Sequence, residues 1–158
     1  MIVVADTGPV LHLHWVDALT WALPPLPVHL VDEVWQEVLK IDPGVLNNPR
    51  LVRVTASRER VPLLDPFQLD EGEKAALCFA LSQNDLRTVL VLCDERAARA
   101  ACSALSIAVT GSIGLIVEAL RGRRVSPVEA QRALRELPSR GRLHVTPALI
   151  QKVLDSLR

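Results

Sequence analysis

Tyrosine is absent from this chain of 158 residues, phenylalanine occurs twice, and aromatic residues make up only 3% of it. That scarcity argues against a surface of stacked rings of the kind that grips single-stranded bases. Trp15, Trp21 and Trp35 read instead as core or dimer contacts. Cysteine is sparse too: Cys78, Cys93 and Cys102 form no CxxC pair and each sits among apolar neighbours. They read as free, buried thiols of a reducing, cytoplasmic compartment rather than as a disulfide framework. No apolar run approaches the roughly 18 residues a membrane span needs. Met1-Ile2-Val3-Val4-Ala5 followed by an acid reads as a buried strand rather than a signal peptide. Net charge is missing as well, since 18 Lys and Arg balance 18 Asp and Glu, and the total alone points to no polyanionic partner.

The balance conceals a polarity along the chain. Residues 1 to 95 hold 14 Asp and Glu against 7 Lys and Arg, and residues 96 to 158 hold 4 against 11, which is −7 followed by +7. Fifteen of the eighteen basic residues are arginine, whose planar fork suits phosphate. Length fits one domain, and an apolar share of 49% is enough for a real core.

Strands alternate with helices along the chain. Ile2 to Ala5 reads as a strand ending at Asp6-Thr7-Gly8-Pro9, a turn before a helix over Val10 to Leu19. After Pro24-Pro25-Leu26-Pro27, a second strand covers Val28 to Val31. A helix follows with Asp32 as its cap and Val34, Trp35, Val38 and Leu39 on one face. A third strand covers Leu51 to Thr55. Leu69 to Leu81 is the clearest helix, with Asp70 as cap and Glu73 as the capping-box acid three residues on. Thr88 to Cys93 is apolar and β-rich, the mark of a central parallel strand, and Asp94 ends it. Glu95 to Leu105 reads as a helix with Ala97, Ala98, Ala101 and Leu105 inward. Ile107 to Val109 reads as a short strand, and Thr110-Gly111-Ser112 as a turn before a helix over Ile113 to Leu120. Ser126-Pro127 and Thr146-Pro147 each open a further helix. The alternation predicts a parallel sheet covered on both faces, with no linker dividing the chain.

Chemistry in such a sheet belongs at the carboxyl ends of its strands. Two strands end on aspartate, Asp6 and Asp94, and Glu37 and Glu73 lie in helices whose N-terminal turns share that edge. Each acid has a plainer role: a turn or cap for the aspartates, a capping box for Glu73, a solvated helix face for Glu37. Together, four acids without matching bases call for a hard cation, and oxygen ligands favour Mg²⁺ or Mn²⁺. Arg96 and Arg99, one turn apart after Asp94, are candidates to grip phosphates, and so is the Arg121, Arg123, Arg124 cluster. His12 and His14 are two apart, on different faces of their helix, and are not expected to bind metal as a pair. A nucleophilic-aspartate phosphatase would want a second acid where Gly8 stands, and a dinucleotide site would want a glycine-rich turn that Asp6-Thr7-Gly8-Pro9 lacks.

These segments resemble a known family in order and spacing. Ile2-Val3-Val4-Ala5-Asp6-Thr7-Gly8-Pro9 resembles the first strand of PIN domains with its Asp-Thr/Ser signature, and Val34-Trp35-Gln36-Glu37-Val38 the helix bearing the second acid. Leu69-Asp70-Glu71-Gly72-Glu73-Lys74-Ala75-Ala76 resembles the Gly-Glu helix of the third. Val91 to Arg99, with Val109-Thr110-Gly111-Ser112-Ile113-Gly114, resembles the Asp-Glu-x-x-Ala-Arg and Thr-Gly-Thr-x-Gly pair of one prokaryotic branch. Gly8 stands where that branch commonly has serine, and Ser112 replaces a threonine.

The resemblance implies a three-layer α/β/α sandwich with a central, mainly parallel sheet. The match runs from residue 1 to about 125, and the chain is expected to form one PIN-like domain over residues 1–158, with 125–158 a C-terminal helical extension. The resemblance also implies a metal-dependent ribonuclease, in many relatives the VapC-type toxin of a toxin-antitoxin pair. Asp6, Glu37, Glu73 and Asp94 would be its catalytic and metal-binding acids and Thr7 a supporting hydroxyl, with Mg²⁺ or Mn²⁺ as cofactor. RNA would be the substrate, a small antitoxin and a second copy of the chain the partners, and no membrane would be involved. The alternative is an inactive module of the same fold that binds RNA or a protein.

Overall fold

A computed structural model describes all of residues 1–158. Five strands, β1 (Ile2–Ala5), β2 (Val28–Val31), β3 (Leu51–Val54), β4 (Val89–Leu92) and β5 (Ala108–Thr110), form one sheet in the order β3-β2-β1-β4-β5. Every neighbouring pair is parallel, so the sheet is parallel throughout rather than mainly. The three inner strands carry the β-branched and leucine-rich runs Ile-Val-Val-Ala, Val-His-Leu-Val and Val-Leu-Val-Leu and are buried along most of their length. The two edge strands are more exposed. Burial on both faces is what a near-continuous apolar strand requires, and helices supply the cover.

Eight α-helices flank the sheet: α1 (Thr7–Trp15), α2 (Leu19–Ala22), α3 (Asp32–Ile41), α4 (Glu71–Leu81), α5 (Arg96–Ala104), α6 (Ser112–Arg121), α7 (Pro127–Glu136) and α8 (Pro147–Ser156). The result is a three-layer α/β/α sandwich. One apolar cluster of 42 buried residues runs through it and into the tail, where Ala130, Ala133, Leu134, Leu137, Leu143, Ile150 and Leu154 belong to it. All three cysteines are free and buried within it. No helix is long and apolar enough to cross a membrane.

Four local expectations are corrected. The first helix begins at Thr7, not Val10, because the first four N–H groups of a helix have no internal partner and Pro9 therefore costs nothing there. It ends at Trp15, and Asp17 at φ 56° turns the chain into α2. Asp32 does not cap α3. Its carboxylate accepts from Arg53 Nε at 2.6 Å and from Thr55 Oγ1 at 2.7 Å instead, tying α3 to the end of β3. Leu39 is 45% exposed, which leaves Val34 and Val38 as the buried positions of α3. On α5 the inward residues are Ala98, Ala101 and Cys102, and Ala97 faces out.

Strand order positions the chemistry. The chain leaves β1 toward β2 and β3 on one side and returns to β4 and β5 on the other, so the connections diverge at the carboxyl ends of β1 and β4. Such a switch point opens a crevice between the departing loops.

Candidate functional site

Asp6 and Asp94 emerge from the two strands that bound this crevice. Ala5 pairs with Leu92, and the Asp6 N–H donates to Leu92 O at 2.9 Å, extending the ladder to the acid itself. Asp6 occupies the cap position of α1 but makes no capping hydrogen bond with its side chain. Only 6% of it is exposed. Burial, with Asp70, Glu73 and Glu37 adding like charge and the Thr7 backbone N–H working against both, pushes the Asp6 carboxyl up from 3.8 to about 7. The same surroundings push the neighbouring Cys93 thiol far up, and its Sγ lies 3.8 Å from Asp6 Oδ2. Cys93 therefore stays a neutral thiol.

Each of the other three acids is held by its own fastening. Glu37 projects from α3, where its Oε2 accepts from Thr7 Oγ1 at 2.9 Å. Gly72 of α4 lies against α3, where a Cβ would just touch Glu37 Oε2 and Val34 Cγ2, each at 3.4 Å. Glu73 is 6% exposed and completes a capping box: its N–H donates to Asp70 Oδ1 at 2.8 Å and its Oε2 accepts from the Asp70 N–H at 2.9 Å. Burial raises its pKa as well, with Asp70, Glu95 and Glu37 adding to the effect.

Asp94 is fixed from α6. Ser112 donates twice to it, from its backbone N–H to Oδ1 at 2.7 Å and from its hydroxyl to Oδ2 at 2.6 Å. A Cβ on Gly111 would fall 2.5 Å from Asp94 Oδ1 and 2.8 Å from Arg99 Nη1. The Thr-Gly-Ser turn after β5 is therefore a carboxylate cradle. Both contacts come from groups that threonine also has, a backbone N–H and a hydroxyl.

Asp6, Thr7, Glu37 and Asp94 line one cavity of about 480 Å³, joined by Asp70, Glu95, Arg96 and His12. Glu73 lies behind Asp70 rather than on the wall. Donor chemistry there fits a hard divalent cation: carboxylate oxygens in excess, one of them raised toward neutrality by burial and, less, by its acidic neighbours. As the side chains stand, no three His, Cys, Asp or Glu groups converge on one ion-sized point. The fastenings account for this, because Glu37, Glu73 and Asp94 are each turned toward Thr7, Asp70 or Ser112.

Sequence reasoning passed over three contributors. Asp70 is a cap that also faces the cavity. His12 sits on the far face of α1 from His14, as its spacing requires, yet its Nε2 lies 3.8 Å from Asp94 Oδ2. Its Nδ1 donates to Gly141 O at 2.6 Å. The tail then runs along the cavity, where Arg142, Leu143 and His144 form part of the wall. Gly141 is the one local signal in the sequence.

The arginines divide between two places. Arg96, at the first position of α5, is on the cavity wall, and Arg99 donates to Cys93 O at 3.3 Å from beside it. Arg121 and Arg124 are not brought to the cavity. They sit at the other end of α6, where Arg121 pairs with Glu118 at 3.0 Å and Arg124 donates to the carbonyls of Trp21 and Ala22. Arg123 shares that end, at φ 56°.

A family model described as PIN domain matches residues 2–158. No curated protein and no solved structure matches the chain.

Proposed function

The chain belongs to the PIN-domain family, whose members are generally nucleases, and from that premise we propose that it is a divalent-metal-dependent endoribonuclease. We read residues 1–158 as one domain, with 125–158 a helical extension that closes part of the site. The observation that carries the reading is the gathering of Asp6, Glu37, Asp70 and Asp94 around one crevice at the strand switch point, with Glu73 directly behind.

Asp6 and Asp94 would be the principal ligands of Mg²⁺ or Mn²⁺, with Glu37 and Glu73 joining directly or through water. Bound there, the ion supplies Lewis acidity, which activates a water for attack on a phosphodiester and neutralises charge on the leaving oxygen. The chain's own residues do the remainder. Ser112 and Gly111 hold Asp94 in one orientation. The Thr7 hydroxyl holds Glu37. Asp6, its carboxyl raised to about 7 chiefly by burial, would give up its proton to serve as a ligand. Arg96 supplies positive charge at the rim for a flanking phosphate.

On the resemblance to the VapC-type branch we further propose a toxin role in the cytoplasm, with a small antitoxin and a second copy of the chain as partners. The test of the nuclease reading is incubation of the purified chain with single-stranded and structured RNA in Mg²⁺, Mn²⁺ or chelator, beside Asp6→Asn. Cleavage should require the metal and fall at least about a hundredfold in the variant. Cleavage that survives both chelation and the substitution would sink the metal mechanism. No cleavage of any RNA would leave the inactive binding module in its place.

A further inference from the structure

Between α7 and α8 the chain passes over the acid crevice as a strap, and its placement is built rather than incidental. Gly141 is wedged so closely that a Cβ would lie 2.7 Å from Leu137 O and 3.0 Å from Val16 Cγ1, so no other residue fits there without movement. The Gly141 N–H donates to Glu136 O at 2.9 Å, and its carbonyl accepts from His12 Nδ1. Leu143 is 8% exposed and belongs to the apolar core, pinning the strap two residues later.

On either side of that anchor the chain turns a basic side chain outward. Arg142 and His144 are both exposed, and both line the same cavity as the acids. Arg142 Cζ stands 4.8 Å over the Trp15 ring, and the Trp15 indole N–H donates to Asp42 Oδ2 at 2.9 Å, which fixes the shelf. A ring stack therefore orients the guanidinium while leaving its N–H fork free. Neighbouring Arg140 differs: its charge is spent on Asp17 at 2.7 Å and Glu136 at 3.4 Å.

We propose that this strap is the substrate grip of the site: Arg142, aided by His144, binds the phosphodiester backbone of single-stranded RNA and holds it across the acids from Arg96. The proposal rests on the ribonuclease reading for the identity of the polyanion. It assigns to the extension a role that the Arg121–Arg124 cluster, tied to Glu118 and to the α2 backbone, does not fill. Arg142 is thus a positioning residue for substrate, distinct from the acids that do the chemistry.

Backbone geometry provides a matched control. Arg142 and Arg123 have φ of 55° and 56°, a region where glycine is at ease, so Arg142→Gly and Arg123→Gly each remove one arginine while relieving the same local strain. Both are placed in the full chain carrying Asp6→Asn, so that RNA stays intact, and binding of a fluorescein-labelled single-stranded RNA is followed by anisotropy in Mg²⁺ across a salt series. Arg142→Gly should weaken binding about tenfold and flatten the slope of log affinity against log salt by roughly 0.7, the signature of one lost phosphate contact on a single strand. Arg142→Lys should recover the slope and part of the affinity, since charge returns without the planar fork. Arg123→Gly should stay within about twofold of its parent. Equal losses in the two glycine variants, or an Arg142→Gly that keeps parental affinity and slope, would overturn the strap. If that happens while the wild-type chain cuts RNA, the nuclease reading survives alone. If Arg142→Gly loses binding and no RNA is ever cut, the strap stands and the nuclease reading falls. A parent that binds no RNA overturns the strap, and cleavage by the wild-type chain then decides the nuclease reading by itself.

Discussion

Helix α6 ends in two different ways. At its first residue, Ser112 is fully buried and gives both its N–H and its hydroxyl to Asp94, with Gly111 leaving the carboxylate just enough room. At and just beyond its last residue, Arg121, Arg123 and Arg124 form the densest run of positive charge in the chain; Arg121 pairs with Glu118 and Arg124 donates to the backbone of α2. The first end is inconspicuous in sequence and reaches the crevice. The second is conspicuous and does not. What separates them is the edge of the parallel sheet on which each lies, because only the carboxyl edge has a switch point.

The comparison breaks most easily at Gly111. In Gly111→Ala the new methyl would meet the far ends of two side chains, Asp94 at 2.5 Å and Arg99 at 2.8 Å, which must swing away, and the Cys93 carbonyl oxygen at 3.2 Å, where the backbone must give by a few tenths of an ångström. Folding should therefore lose only about 1 kcal/mol, while nuclease activity drops about a hundredfold as Asp94 leaves its cradle. A thermal melt and a cleavage assay on one preparation separate these effects, and equal loss in both would make the glycine merely structural.

Asp6 sharpens the same contrast through pH. Its carboxyl titrates near 7 in the folded chain against an ordinary 3.8, so between those values the folded chain holds a proton the unfolded chain has released. That stabilisation is complete below about pH 4 and is lost as pH rises through about 7. In chelator, stability to urea should fall by about 2 kcal/mol from about pH 5 to about pH 8, and Asp6→Asn should flatten the fall. An identical pH dependence in wild type and variant would show that Asp6 is not the strained acid.

Ser112→Ala gives the smallest effect. The backbone N–H still reaches Asp94 after the hydroxyl is gone, so activity should fall about tenfold, while Ser112→Thr should hold near wild type. Loss of activity in Ser112→Thr as well would mean that volume, not the hydroxyl, matters in this fully buried position.

Much of the crevice was legible from local pattern. Strand runs ending on Asp6 and Asp94 announced the sheet edge, and the Asp70 and Glu73 spacing announced a capping box that the structure contains in full. Other features depended on contacts between distant parts of the chain. Asp32 looked like a cap because nothing nearby revealed that Arg53 and Thr55 would claim its carboxylate. The spacing of His12 and His14 correctly parts their faces but does not disclose Gly141, 129 residues away. The opposite charges of the two sequence parts also meet in the folded chain, where Arg96, Arg142 and His144 face Asp6, Glu37 and Asp94 across one cavity. Composition contained that polarity, and only the path of the strap made it local.

The capping box at the start of α4 behaves as a latch. While Glu73 is bound to the Asp70 N–H, the helix end is closed and the third acid is withheld from the crevice. Turning Glu73 outward surrenders that N–H to water, at about 1 kcal/mol for a lost cap. A cation that recruited Glu73 would break one bond of the box and leave the other, Glu73 N–H to Asp70 Oδ1, holding the helix end, so the latch could open without unwinding α4.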